Sequence, residues 1–463
     1  MHLDVRSVLI CLFSFLIIST SYSQDEDVYM IKKIHDESLR NGQSYPWLTE
    51  LCTKHGARIA GSKSYIGAAE YTKKELAKIP GVTSYYQDCE ANYWVRGNKE
   101  EVAIIDKKGK KQFLNALALG NSIGTPPNGI TAEVIEVQSL DEVEALGKEK
   151  IAGKIVFYNR PMDPTQIKTF SAYGRAGDQR VLGPSKAAEY GAVAAIVRSL
   201  TTSLDDFPHT GVTQYKDSLM AVPGLAISTI AANKLSLALK SGPIKLFVKT
   251  NCKSVGLKYA PTVIGEIKGS EYPDEIIVIG GHLDSWDVGQ GAHDDGSGCV
   301  QSMEVLRLFN ALGYKPKRTI RCVLFSNEEN GLAGGKTYAK ISNEKKEFHL
   351  AALESDSGGF SPRGFSFDAD TSVLKTYFRH VSQWLPLLES YGLHFEIGGS
   401  GADIGPLKSQ KGLLIGLRPD AQRYFDFHHT ANDKIEAVNK RELELGSAAM
   451  ASLIYLIDKY GIQ

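Results

Sequence analysis

Glu275-Ile276-Ile277-Val278-Ile279-Gly280-Gly281-His282-Leu283-Asp284-Ser285-Trp286-Asp287 is the stretch whose reading decides the fold. Its first half is a continuous apolar run, the pattern of a strand buried on both faces of a sheet. Its second half turns polar within two residues. Thr319-Ile320-Arg321-Cys322-Val323-Leu324-Phe325 repeats the plan and runs into Ser326-Asn327-Glu328-Glu329-Asn330-Gly331. His349-Leu350-Ala351-Ala352-Leu353 repeats it again and runs into Glu354-Ser355-Asp356-Ser357-Gly358-Gly359. Between the first two strands, Val300, Met303, Leu306, Phe309 and Leu312 recur at three-residue spacing, which predicts a helix with one buried face. Strand, loop and helix repeating after residue 255 predict an α/β sheet.

The polar residues at the strand ends are where such a sheet would place a ligand. His282 and Asp284 follow the first strand, and His293-Asp294-Asp295-Gly296-Ser297-Gly298 opens the helix. Glu328 and Glu329 follow the second strand, Asp356 the third, and Tyr424-Phe425-Asp426-Phe427-His428-His429-Thr430-Ala431-Asn432-Asp433 comes much later. Each residue alone has an ordinary explanation: a helix cap for Asp294, a solvated turn for the Glu pair, a surface position for the His pair. The weight lies in conjunction. Carboxylates gathered on one sheet edge repel strongly unless a cation neutralises them. Mixed His and carboxylate donors without Cys suit catalytic zinc or a similar divalent ion. At least three carboxylates and two imidazoles favour two metals over one, with a carboxylate bridging ions ~3.5–4 Å apart.

Taken together, these motifs resemble those of the co-catalytic zinc exopeptidases of peptidase family M28. The resemblance extends over nearly the whole chain. His55-Gly56-Ala57-Arg58-Ile59-Ala60-Gly61-Ser62 is similar to the family's N-terminal segment, and residues 115–254 to a protease-associated insert. It implies a mixed central sheet with helices on both faces and two Zn2+ per chain. It further implies that Asp294 bridges the ions, that His282 and Asp356 complete one site, and that Glu329 and His429 complete the other. Glu328 is then the general base, and Asp284 orients His282. Thr430 beside His429 selects His429 over His428 as ligand. Some relatives carry Tyr where this chain has His428, an imidazole donor able to stabilise an oxyanion. Asp295 is left as an acceptor at the helix terminus. The implied substrates are small unblocked peptides, especially dipeptides, and the implied assembly is a homodimer. The alternative is a catalytically inactive, receptor-like binding protein on the same scaffold. Asp403, in Gly399-Ser400-Gly401-Ala402-Asp403-Ile404, is expected on the pocket floor, either attracting a free amine or capping its own loop.

Upstream, residues 25–80 read as helical with a Gly-rich interruption at 55–62, and residues 91–106 alternate like strands. From 115 to 254 short strands bounded by Gly, Pro and Asn predominate, with two helices and few His or acidic clusters. We read this stretch as an inserted, mainly β domain dividing a catalytic domain into 24–114 and 255–463. The apolar run at residues 8–18, ending in Ser21-Tyr22-Ser23, predicts a signal peptide over 1–23 and a secreted protein, with lysosomal retention equally compatible. No later window reaches ~18 apolar residues, so a membrane partner is not expected. Lys plus Arg and Asp plus Glu both total 53, which argues against nucleic-acid partners and polybasic membrane contacts. Beyond Cys11 five cysteines remain, an odd number, with Cys299 and Cys322 expected as buried free thiols.

Overall fold

The computed structural model describes residues 25–218 and 220–462, so the leader expected over 1–23 lies outside the described residues. Among the described residues there are two eight-stranded sheets. The first runs Thr83–Gln87, Thr262–Ile267, Arg318–Phe325, Tyr272–His282, Phe348–Glu354, Leu413–Pro419, Pro362–Asp368, His394–Ile397. Its centre is parallel: Gly280 lies opposite Val323 on one side and Glu354 on the other. Its flanks are partly antiparallel, so the sheet is mixed, as expected. Parallel neighbours end on one edge, and His282, Ser326 and Ser355 therefore open onto the same side.

Alternation along the central strands assigns the two faces. Ile277, Ile279, Ile320, Cys322 and Leu324 join the larger core. Ile276, Val278, Val323 and Phe325 join Tyr338 and Ala339 of the helix Ala333–Lys345 on the opposite face. Each fully buried side chain of this size contributes about 1.5–3 kcal/mol relative to exposure. The helix Ser297–Ala311 buries Val300, Met303, Leu306 and Phe309 as its spacing predicts. It also buries Glu304, Val305 and Leu308, because Ser44–His55 and Lys440–Tyr460 pack on its outer side. Arg307 satisfies the Glu304 carboxylate.

The second sheet runs Lys111–Leu114, Glu101–Ile105, Lys245–Lys249, Ile130–Val137, Ile155–Tyr158, Ala194–Arg198, Gly224–Ile227, Ala116–Ala118. It is less purely β than its sequence texture suggests. Val143, Ile151 and Ala187 of the helices Leu140–Ile151 and Gly183–Glu189 cover one face, and Ala231, Ala232 and Leu235 of Thr229–Lys240 cover the other. Its strands also begin ahead of residue 115. Lys245–Lys249 pairs with Glu101–Ile105 on one side and with Ile130–Val137 on the other, a long-range closure that no local pattern announces. A two-stranded ribbon, Glu90–Val95 with Lys253–Tyr259, carries the chain into and out of this unit. All five described cysteines, Cys299 and Cys322 included, are buried free thiols. No helix among the described residues is long and apolar enough to cross a membrane.

Candidate metal centre

His282 ends the central strand, where close packing leaves no room for a side chain on its neighbour. A Cβ on Gly281 would meet the Asp295 carboxylate and the Ser355 carbonyl. The His282 Nδ1–H donates to the Asp284 carbonyl at 3.0 Å, which leaves the Nε2 lone pair facing the cleft. Nε2 lies 3.2 Å from Asp294 Oδ1 and 3.6 Å from Asp356 Oδ1. His429 is arranged in the same way. Its Nδ1–H donates to the Thr210 carbonyl at 3.2 Å. Its Nε2 stands 3.1 Å from Glu329 Oε2 and 3.3 Å from Asp294 Oδ2. The backbone of His429 is left-handed, with φ 63°, an uncommon conformation for a side-chain-bearing residue. The two oxygens of Asp294 thus address two different imidazoles.

These donor atoms fit a divalent cation. His282, Asp294 and Glu329 offer ligand atoms within 4.8 Å of one another, as do Asp294, His428 and His429, and His282, Asp295 and Asp356. Asp294 Oδ2 is buried and accepts no hydrogen bond, an acceptor left open for a cation. Asp295 differs: its two oxygens accept the His282 and Gly298 N–H groups at 3.0 Å each, the helix-terminus role expected of it.

Asp284 acts on more than His282. Its backbone carbonyl holds that ring, while its carboxylate accepts the N–H of Glu328 at 3.1 Å and of Glu329 at 3.4 Å. The carboxylate stands 3.9 Å from His282 Nδ1, too far for a hydrogen bond. Glu328 lines the cleft, and among the described residues no group donates to its carboxylate. Burial, with repulsion from Asp356, Glu329 and Asp284 and opposition from His282, pushes its pKa well above the usual carboxylate range. Burial and Asp294 raise Glu329 to about 7. For Asp294 burial is outweighed by His282 and His429, which hold it well below its usual value. Crowded carboxylates of this kind are what a bound cation would relieve.

His428 stacks on His429, ring centroids 3.5 Å apart, with Nε2 3.8 Å from Asp294 Oδ2 and Nδ1 buried without a partner. Burial and His429 hold its pKa well below the ordinary imidazole value. Asp403 departs from its expected place. It is 1% exposed, with both oxygens unpartnered, and does not line the catalytic cleft. The cause is Glu354, whose carboxylate accepts the N–H groups of Ala402 and Ile404 at 2.9 Å each and draws the loop inward.

Two positioning residues had no role assigned from sequence. The Asp433 carboxylate accepts the N–H of His293 at 2.7 Å and of Asp294 at 3.1 Å. Buried Arg58 donates to the carbonyls of Leu283, Gln290 and Gly291 at 2.5, 2.6 and 2.8 Å respectively. Both sit inside motifs already notable in the sequence, which was the available signal. The cleft itself encloses about 440 Å³, walled by Asp294, Glu328 and His428 on one side and by Asn121, Tyr173 and Arg180 of the second unit on the other.

Comparison with known proteins agrees with this geometry. A bovine carboxypeptidase Q is 33% identical over 417 residues, covering 90% of this chain and 85% of that protein. The crystal structure of a peptidase M28 precursor from Shewanella amazonensis superimposes with a TM-score of 0.88 at 30% identity, covering 94% of this chain and 97% of that one. A zinc aminopeptidase from Bacillus subtilis shares the fold, with a TM-score of 0.64 at 18% identity over 90% of this chain and 95% of that one. The model of peptidase family M28 matches residues 262–454, the segment that carries every candidate metal ligand named above. The chain is a metallopeptidase and belongs to peptidase family M28.

Proposed function

We propose that the chain is a zinc-dependent exopeptidase that hydrolyses small unblocked peptides, dipeptides above all, with Glu328 as general base. The observation that carries this reading is the Asp294 carboxylate, set between His282 and His429 with Oδ2 unpartnered. His282 and Asp356 would hold one divalent ion, Glu329 and His429 the other, and Asp294 would reach both. Ions bound there lower the pKa of a water toward neutrality and polarise a peptide carbonyl. Glu328, whose carboxylate has no donor among the described residues, takes the proton of the attacking water and passes it to the leaving amine. A tight ligand could not do this, so the metal falls to Glu329. His428, kept neutral by burial, carries one N–H and donates it to the carbonyl oxygen as negative charge develops. Asp284 fixes the turn that presents Glu328 and Glu329.

A cleft of about 440 Å³ closed by a second wall supports short substrates, and the names of the relatives, carboxypeptidase and aminopeptidase, support cleavage at chain ends. We read the second sheet as a protease-associated insert, residues 1–23 as a cleaved leader that exports the chain for secretion or lysosomal delivery, and the assembly as a homodimer. A dipeptide-library assay with and without chelator, combined with metal analysis, tests the central reading. Activity lost to chelator and restored by zinc, with two zincs per chain, is expected. Peptide binding without hydrolysis in the zinc-loaded chain would favour the receptor-like alternative.

A further inference from the structure

The geometry points to Arg180 as the residue that receives the free α-carboxylate of the peptide on its leaving side, a role that rests on the exopeptidase reading above. Arg180 belongs to the short helix Asp178–Val181 of the second unit, yet it lines the catalytic cleft with Asp294, Glu328 and His428. It is 6% exposed. Arg96, Arg160, Arg307, Arg318 and Arg321 each have an acidic partner. Arg58, Arg198 and Arg418 lack one but donate to other protein oxygens. Arg180 does neither among the described residues, and its Nε is buried without an acceptor. A desolvated guanidinium is costly unless an anion meets it. Nothing among the described residues does, so the anion is expected from the ligand.

The group is held ready. A Cβ on Gly211 would come within 2.5 Å of Arg180 Nη1, so the guanidinium lies close against that loop's backbone. Val181 next to it is fixed by the N–H of Gln214, which donates to its carbonyl at 2.9 Å. The Tyr173 ring stands 5.3 Å from the guanidinium carbon and 5.1 Å from the His428 ring, so one aromatic ring separates Arg180 from the reacting end of the cleft. An extended residue spans roughly 3.5 Å. A scissile carbonyl beside His428 therefore carries the carboxylate of the next residue toward Arg180, whose planar fork matches a carboxylate with two parallel N–H donors. A longer leaving chain would meet this wall, which restricts cleavage to the last peptide bond.

The test uses the zinc-loaded full chain and two substrates, Ala-Ala with a free carboxylate and its C-terminal amide. The wild type is expected to favour the acid by roughly 10–100-fold in kcat/KM, the worth of a charge-assisted hydrogen bond. Arg180→Gln is expected to lose that factor on the acid, through KM, and to keep the amide rate, with Arg180→Lys between them. An equal loss on both substrates, or a wild type indifferent to the amide, overturns the assignment. So does recovery of the preference by Ala-Glu amide, which would assign the arginine to an acidic side chain. If Arg180→Gln does not fold by thermal melting, the acid-to-amide ratio of Arg180→Lys decides. A wild type that cleaves neither peptide sinks the exopeptidase reading itself, a different failure.

Discussion

Thr210 and His429 exchange two hydrogen bonds: the Thr210 N–H donates to the His429 carbonyl at 3.0 Å, and the His429 Nδ1–H donates to the Thr210 carbonyl at 3.2 Å. Through this pair the second unit sets the tautomer and the left-handed backbone of an imidazole that faces Glu329 and Asp294. Partners of this kind typically change metal affinity by about 10–100-fold when lost. Thr210→Pro removes the N–H and is expected to weaken zinc binding at His429 by that factor, whereas Thr210→Ala keeps both backbone groups and leaves affinity unchanged. Chelator competition reads both. Unaltered zinc binding in a folded Thr210→Pro chain would mean that the second unit does not steer His429.

Glu328 has no donor to its carboxylate among the described residues while Glu329 Oε2 stands beside His429 Nε2 at 3.1 Å, and the proposed mechanism gives these neighbours different roles. Glu328→Gln is expected to retain both zincs and to lower turnover by ~10²–10⁴-fold, the usual yield of a positioned general base. Metal analysis and single-turnover rates with a dipeptide check it. Full activity in the variant would remove Glu328 from the mechanism, and loss of one zinc would make it a ligand.

Asp284 reaches the chemistry through a turn. Because its carbonyl, not its carboxylate, holds His282, Asp284→Asn leaves that tautomer in place. The amide can accept only one of the two N–H groups that now converge on the carboxylate, and its NH2 would oppose the other. Turnover is expected to fall by roughly 10–100-fold with the His282 site still loaded. If one zinc is lost and turnover of the remaining loaded fraction is normal, Asp284 serves metal retention instead.

How far the sequence reveals this site depends on the kind of group involved. His282, Glu329 and Asp356 were legible because adjacent parallel strands must deliver their ends to one edge, and Asp294 because it opens the helix beside them. The Thr210 carbonyl was not, since a backbone acceptor has no signature and lies 219 residues from the imidazole it fixes. Arg58 and Asp433 likewise bond to backbone rather than to each other's charges, so no complementary pair marks them. Asp403, in its Gly-rich loop, was expected on the pocket floor, but it is buried away from the cleft because Glu354 captures the loop's N–H groups. Glu101–Ile105 joined the second sheet through a strand more than a hundred residues away, beyond any local window.

Stability should fall on acidification for reasons remote from the metal centre. His35 stacks on Tyr391, ring centroids 3.9 Å apart, and its Nδ1 lies 3.0 Å from the Ile31 carbonyl. Burial lowers its pKa from 6.5 to about 4, with the Ile31 carbonyl opposing. The unfolded chain therefore binds a proton from about pH 6.5 downward that the folded chain refuses until about pH 4. Stability is thus present above 6.5 and declines through that window, by about 3 kcal/mol at most for this one group, at 1.36 kcal/mol per pKa unit. Glu304, raised by burial to about 7, works in the opposite direction, since its protonation on folding favours lower pH. A single-site comparison isolates the histidine. In urea melts between pH 7 and pH 4.5, His35→Gln is expected to lose less stability on acidification than the wild type. Parallel pH profiles for the two chains would show that His35 gains its proton in the folded state as readily as in the unfolded one.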